Sequence, residues 1–344
     1  MIKLTKKIKF SSNHEPLIIA EISGNHCGSK HKFLNLIKSA CLNGADLIKI
    51  QTYEPQDITL KRNYGKFIIK KGIWKGEKLW DLYKSACTPF SWHQDAFKIA
   101  KKYNKILFSS PFSIRAVDFL ESLNVKVYKI ASFEITDYKL IEYIASKKKP
   151  IIISTGMANL NEIKKAIKII KKYHSNIIIL HCVSSYPTDL KDINLKKISL
   201  LKKEFPKNLI GLSDHTNHIY SSIAATMLGV VAIEKHLKLN EKTSSPDATF
   251  SITPKQLYEL KYSTSNIFNS LNKKFSQSEK ISKKLRRSIF STQIINKNDK
   301  ITKKNIDTLR PSIGLCASEY FKIIGKRVNK KINKNQPIYK KDLI

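Results

Sequence analysis

Residues Gly211–His236, GLSDHTNHIYSSIAATMLGVVAIEKH, carry a helical spacing between two short apolar runs. The first run, Leu209 to Leu212, leads into Asp214 and His215; the second, Val230 to Ile233, leads into Glu234, Lys235 and His236. Runs of this length with a helix between them predict two parallel strands and a crossover. Parallel strands end at one edge of their sheet, so both imidazoles should stand on the same rim, each beside an acid. One such histidine, taken singly, is more often a hydrogen-bonded strand end than a ligand. Two together, with flanking acids, make a divalent-cation site the sharper reading.

The pattern repeats outward from this unit. Eight apolar, β-branched runs end in polar or small residues: LIIAEISGNH (17–26), DLIKIQTY (46–53), ILFSSPF (106–112), VYKIASFE (127–134), PIIISTGM (150–157), IIILHCVSSYP (177–187), LIGLSDH (209–215) and VVAIEKH (230–236). Continuous apolar runs belong to strands buried on both faces. Helical spacing fills the gaps. In HKFLNLIKSACLNG, Phe33, Leu34, Ile37, Cys41 and Leu42 recur three and four apart, and Gly44 closes the helix. Ile163, Ile167 and Ile170 repeat the pattern in 161–173. Strand then helix, eight times in roughly 260 residues, is the count and length of a (β/α)8 TIM barrel, an α/β fold. An open doubly wound sheet is the alternative, but no G-x-G-x-x-G follows the first strand. A barrel keeps its chemistry at the C-terminal strand ends. Here those ends are rich in Glu, Asn, His, Lys, Gln, Ser and Asp.

Three segments depart from the repeat. The first fifteen residues alternate weakly and predict a small hairpin over the barrel floor. Residues 54–92 are too long for a plain connection, and their aromatics Phe67, Trp74, Trp80 and Tyr83 predict a lid or pocket wall, or else simple packing of the insertion on the barrel. From Lys273 the texture turns polar. The division this predicts is a barrel over 1–272, a linker over 273–283 and a small β-rich module over 284–344. A module of roughly 60 residues is near the lower limit of independent stability and should lean on another surface.

Composition narrows the function. The formal charge is +36, yet only six of the 63 basic residues are arginine and the lysines are spread over nearly every predicted helix. No nucleic-acid motif accompanies them, so the charge reads as solvated helix faces that steer anions rather than as a groove for DNA or RNA. The five cysteines are widely spaced, with no C-x-x-C, which fits a reducing cytoplasm. The start, MIKLTKKIKF, lacks the apolar core of a signal peptide, and no run approaches the ~18 apolar residues of a membrane span.

The strand ends supply the chemistry. Lys49 and Lys129 lie inside strands, where a lysine is costly unless it meets an anion. One barrel lysine would suit a Schiff-base aldolase. Two, with hydroxyls from Ser109, Ser110, Ser132, Ser154, Ser184 and Ser213, favour binding of a phosphate together with a carboxylate. Each serine alone is as well read as a packing or turn residue. Glu21 leaves the first strand toward the same mouth as a candidate base. Gln51, Glu134, Tyr186, Glu234 and Asp247 are polar candidates for a polyhydroxylated substrate, each equally readable as support for its neighbours. Asp214 reads as a supporting partner of its histidine.

In this order and spacing, IIAEISGNHCGS, ADLIKIQTY, FSSPF, YKIASFE, IISTGM, HCVSSYP, GLSDHT and EKH resemble the sialic acid synthase family, and the tail, with Arg310, Pro311 and Gly314 in RPSIG, resembles its antifreeze-like SAF domain. The insertion and TSSPDATFSI (243–252) are similar to the pseudaminic acid branch; neuraminate and legionaminate synthases tend to carry Gly-Pro-Asp where this chain has Ser245-Pro246-Asp247. Val183 departs from the hydroxyl residue many relatives place there. The resemblance implies condensation of phosphoenolpyruvate with an N-acetylated amino sugar, here 2,4-diacetamido-2,4,6-trideoxy-L-altrose. It implies a divalent metal on His215 and His236, Mn²⁺ before Mg²⁺ or Co²⁺. Lys49, Lys129, Ser132, Ser154 and Ser213 would hold phosphoenolpyruvate, with Glu21 handling protons. Arg310 would reach the sugar's acetamido group from the other subunit of a domain-swapped homodimer. The same reaction on N-acetylmannosamine or a legionaminate precursor is the near alternative. A basic carbohydrate- or nucleic-acid-binding protein without catalysis is the distant one.

Overall fold

The computed structural model describes residues 1–271 and 277–344. Eight parallel strands close into a barrel: β1 (Leu17–Glu21), β2 (Leu47–Thr52), β3 (Ile106–Pro111), β4 (Tyr128–Ile130), β5 (Ile151–Ser154), β6 (Ile177–Cys182), β7 (Leu209–Asp214) and β8 (Ala232–His236), with β8 pairing back onto β1. These are the eight apolar runs, buried along almost their whole length because barrel side chains fill one face and the helices cover the other. Three runs stop being strand earlier than their composition suggests. After β1 the chain turns through a 3-10 helix, Ser23–His26, and after β4 through another, Ser132–Thr136. After β6 it leaves regular structure altogether. The polar residues past those points have no neighbouring strand to bond, so the backbone bends over the mouth instead.

The helix Lys30–Leu42 buries Phe33, Leu36, Ile37, Ala40 and Cys41. Leu42 is 60% exposed, so the stripe is one residue narrower than read from the sequence. Gly44 follows at φ +99°, a left-handed conformation that glycine adopts without penalty. In the helix Leu160–Lys171, Ile163, Ile167 and Ile170 are buried behind an Asn159–Glu162 capping box. At the N-terminus, two-residue strands pair Ile2 with Phe10, and both side chains join the barrel's apolar core.

Contacts divide the chain into Met1–Asn272 and Lys273–Ile344. The second unit has its own core of Ile289, Ile295, Ile301, Ile306, Ile323, Val328, Ile332 and Ile338. Its ladder is thinner than a β-rich module suggests: β9 (Ser288–Ser291) pairs antiparallel with β10 (Ile306–Leu309), and single bridges such as Ile295–Ile332 do the rest. Part of the expected linker, 273–276, lies outside the described residues. The next part is not extended coil: Gln277–Ser282 is helical.

Candidate active site

Register decides which side chains share the mouth. Glu234 stands beside Ser213, and Lys235 beside Asp214. Side chains alternate along a strand. Ser213, His215, Glu234 and His236 therefore face the barrel interior, where all four line one cavity of about 550 Å³. Asp214 and Lys235 face the helix layer. There both are fully buried, with Lys235 Nζ 3.2 Å from Asp214 Oδ2 and donating to the carbonyl of Thr216. Ser221 and Ser222 donate to the same carboxylate oxygen at 2.6 Å, and the Thr216 amide to Oδ1 at 2.8 Å. This ion pair pins the turn that follows His215 to the strand that carries His236. Alternation turns Lys235 outward, but its burial against Asp214 depends on how the helix layer covers it, which the sequence does not signal.

The two imidazoles lie edge to face with ring centroids 5.4 Å apart. His215 Nδ1 is 2.9 Å from the carbonyl of Val183, which it can approach only as a donor, so Nε2 is the atom free to ligate when the ring is neutral. Burial opposes the ring's charge, but Cys182 beside it outweighs burial and raises its pKa, so a cation there would displace that proton. His236 Nδ1 is buried without a hydrogen-bond partner among the described residues, and Asp247 Oδ2 is 3.7 Å from it. Burial, and then the charge of His215, holds His236 well below the usual imidazole range, so it is neutral and able to ligate. Among the described residues no three His, Cys, Asp or Glu side chains complete a metal site alone. The donor set nonetheless suits a cation: two imidazoles, one of them with a buried nitrogen unpartnered among the described residues, and a nearby carboxylate.

The lysines face the same cavity. Lys49 Nζ is 2.9 Å from Glu21 and 3.5 Å from Glu234. Burial opposes its charge, but those carboxylates outweigh it and hold the ammonium above its ordinary range. Lys129 Nζ donates to Ser154 at 2.7 Å, with Glu234 at 3.9 Å. Here burial prevails and pulls it down. Lys129 is the under-neutralised member and gains most from an incoming anion. Ser132 and Ser154 line the cavity beside it. Ser184 is 2.8 Å from Ser132 Oγ but does not line the cavity itself. A Cβ at Gly156, φ +48°, would fall 2.4 Å from Ser132 Cβ, so glycine lets this turn close on the hydroxyls.

The remaining candidates separate. Gln51, Glu134, Tyr186 and Asp247 line the cavity. Glu21 does not: it is fully buried behind Lys49 and accepts from Gln51 Nε2 at 3.0 Å, so it addresses the cavity only through them. Burial, opposed by Lys49, pushes Glu21 up to about 7. Burial, opposed by Lys129, does the same to Glu134, whose Oε2 is unpartnered among the described residues. Ser110 is buried and does not reach the cavity. Arg310 is exposed in the second unit.

Two further parts escaped the sequence. Asn25 is buried and fastens the loop after β8, donating to Leu237 O and Ser251 Oγ and accepting from Ser245. The insertion folds back as a hairpin, with the Ile69 amide donating to Glu77 O and the Gly76 amide to Ile69 O, and its tip is tied by Trp74 Nε1 donating to the Pro246 carbonyl at 2.9 Å. Trp74 and Tyr83 line the cavity; Phe67 and Trp80 do not.

Residues 36–276 match the NeuB family, and 286–344 match the SAF domain. The chain is 38% identical over 327 residues to the pseudaminic acid synthase of Campylobacter jejuni, covering 94% of this chain and 95% of that one. The N,N'-diacetyllegionaminic acid synthase of the same bacterium is 34% identical over 330 residues, covering 94% and 98%. A solved structure, the N-acetylneuraminic acid (sialic acid) synthetase of Leptospira borgpetersenii in complex with citrate, is 30% identical, with a TM-score of 0.73 over 81% of this chain and 93% of that one.

Proposed function

The chain belongs to the NeuB family, and on that premise we propose that it makes pseudaminic acid, condensing phosphoenolpyruvate with 2,4-diacetamido-2,4,6-trideoxy-L-altrose and releasing phosphate. It is a transferase that forms a carbon–carbon bond. The observation that carries the reading is the convergence, in one cavity, of an imidazole pair with two buried ammonium groups and their hydroxyls.

Lys49 and Lys129 hold the phosphate and carboxylate of phosphoenolpyruvate, with Ser132, Ser154 and Ser213 donating to the same anion. Lys129, with Glu234 no nearer than 3.9 Å, gains a closer negative partner. His215 and His236 hold a divalent cation, with Mn²⁺ our choice over Mg²⁺ or Co²⁺. Once bound, the cation polarises the sugar's aldehyde oxygen as a Lewis acid, worth several kcal/mol. The methylene carbon of phosphoenolpyruvate forms a bond to the aldehyde carbon, and the aldehyde oxygen gains a proton to become a hydroxyl. Water adds to the carbon bearing the phosphate ester and loses a proton. The C–O bond to phosphate then breaks as the new hydroxyl gives up its proton to the departing phosphate, leaving the ketone. Glu134 lines the cavity, has an unpartnered oxygen and a pKa near neutrality, and is our assignment for the proton carrier. Glu21 positions Lys49 rather than touching the substrate.

We further propose that Arg310 binds the acetamido group across a domain-swapped homodimer. All five cysteines are free, which supports our placing the reaction in a reducing cytoplasm. Among the described residues no helix is long and apolar enough to cross a membrane. Product mass spectrometry tests the reading. With phosphoenolpyruvate, Mn²⁺ and each sugar in turn, the diacetamido-trideoxy sugar should give product; turnover of N-acetylmannosamine alone would overturn it.

A further inference from the structure

The cavity is lopsided. Its floor is charged, but one side is an apolar wall contributed mainly by the insertion: Ile69, Trp74, Leu79, Leu82 and Tyr83, with Phe112 beside them. An enzyme acting on a fully hydroxylated sugar has little use for such a surface, since each buried hydroxyl would need a partner there. The wall is also anchored. Trp74 donates to Pro246, its ring lies 5.8 Å from that of Tyr186, and Tyr186 lies 4.5 Å from His215. The series His215, Tyr186, Trp74 leads from the imidazole pair to the wall. A sugar whose aldehyde sits at the imidazoles therefore extends toward Trp74 and the apolar residues that line the cavity with it, Ile69 and Leu79 among them.

We propose that this wall is the specificity element, reading the deoxygenated terminal methyl and an acetyl methyl of the sugar through apolar contact. The proposal rests on the reading of the substrate given above and names the residues that select it. One methylene in an apolar pocket discriminates by roughly 10- to 200-fold, which is the size of effect to seek.

The test uses the full-length protein with Mn²⁺ and saturating phosphoenolpyruvate. Leu79→Asn keeps the number of side-chain heavy atoms, Ile69→Thr shortens the side chain by one methyl, and each adds a polar group to the wall. They are made separately, so that a folding failure in one leaves the other. kcat/KM is measured for the diacetamido-trideoxy sugar and for N-acetylmannosamine. Each variant should lower the first by at least about tenfold while lowering the second less, so that the ratio moves toward the hydroxylated sugar. A wild type that turns over the deoxy sugar, with a ratio unmoved in both variants, overturns the wall's role alone. A wild type that uses only N-acetylmannosamine overturns the substrate reading and the wall's role with it.

Discussion

The floor and the wall of the cavity are built by different means. Floor residues leave the ends of paired strands, and the ladder fixes their neighbours: Glu234 beside Ser213, His236 beside Glu21, Glu21 beside Lys49. Wall residues come from a hairpin carrying Ile69 and Trp74, tied at its tip by an indole hydrogen bond, and from the helix Leu79–Ala86 that follows it, neither of them aligned by a barrel strand. The floor is rigid, charged and suited to chemistry common to many sugars. The wall is an addition that can vary without disturbing the barrel. Chemistry and selectivity should therefore fail separately when each is cut.

The largest effect should come from the floor. His236→Ala should lower kcat by about 10³-fold, the scale of losing one electrostatic contact to a developing oxyanion. A Mn²⁺ titration followed by electron paramagnetic resonance should show the binding step lost as well. Undiminished Mn²⁺ binding would remove the imidazole pair from the account.

Next comes the layer beneath the floor. Lys235→Met leaves Asp214 charged, buried and unpaired, a change that costs about 3–5 kcal/mol. Denaturant unfolding should show a loss of that order, against little loss of stability for the wall variants.

A third cut separates two carboxylates of similar pKa. Glu134, at about 7, must be deprotonated to accept a proton, so kcat/KM should rise with pH through neutrality. Glu134→Gln should flatten that limb and lower the plateau by about 10²-fold. Glu21→Gln should instead leave that limb in place and lower the KM of phosphoenolpyruvate, because Lys49 loses the carboxylate that neutralises it at 2.9 Å. If Glu21→Gln abolished the limb and Glu134→Gln spared it, the two roles would be exchanged.

The smallest effect belongs to the wall's anchor. Trp74→Phe keeps an aromatic ring but removes the donor to Pro246, a bond worth about 1 kcal/mol. The sugar's KM should rise about fivefold, with the KM of phosphoenolpyruvate moving less. An equal rise in both would mean that the hairpin supports the floor after all.

This division also explains what could be read in advance. The eight runs announced the barrel because strands buried on both faces need unbroken apolar sequence. His215 and His236 were legible because polar residues at the ends of such runs have one edge to go to, and Lys49 and Lys129 because a lysine inside a buried strand is costly unless it meets an anion. Lys235 and Asn25 were not legible, since their roles depend on partners, Asp214 and the Ser245–Ser251 loop, distant in sequence or on the outer face. Glu21 was legible as a strand-end acid, but its retreat behind Lys49 depends on packing depth, which alternation does not report. The insertion was legible as a wall, while the choice of Trp74 over Phe67 depended on how a hairpin folds back, and that of Tyr83 over Trp80 on which face of the helix Leu79–Ala86 meets the cavity.

The most direct measurement is phosphate release from phosphoenolpyruvate by the metal-depleted protein, before and after Mn²⁺ is restored, with and without the diacetamido-trideoxy sugar. Release should require both the cation and the sugar, in a one-to-one ratio with product. Release that persists in chelator, or that proceeds without the sugar, would contradict an imidazole pair and an ammonium cradle acting as one site.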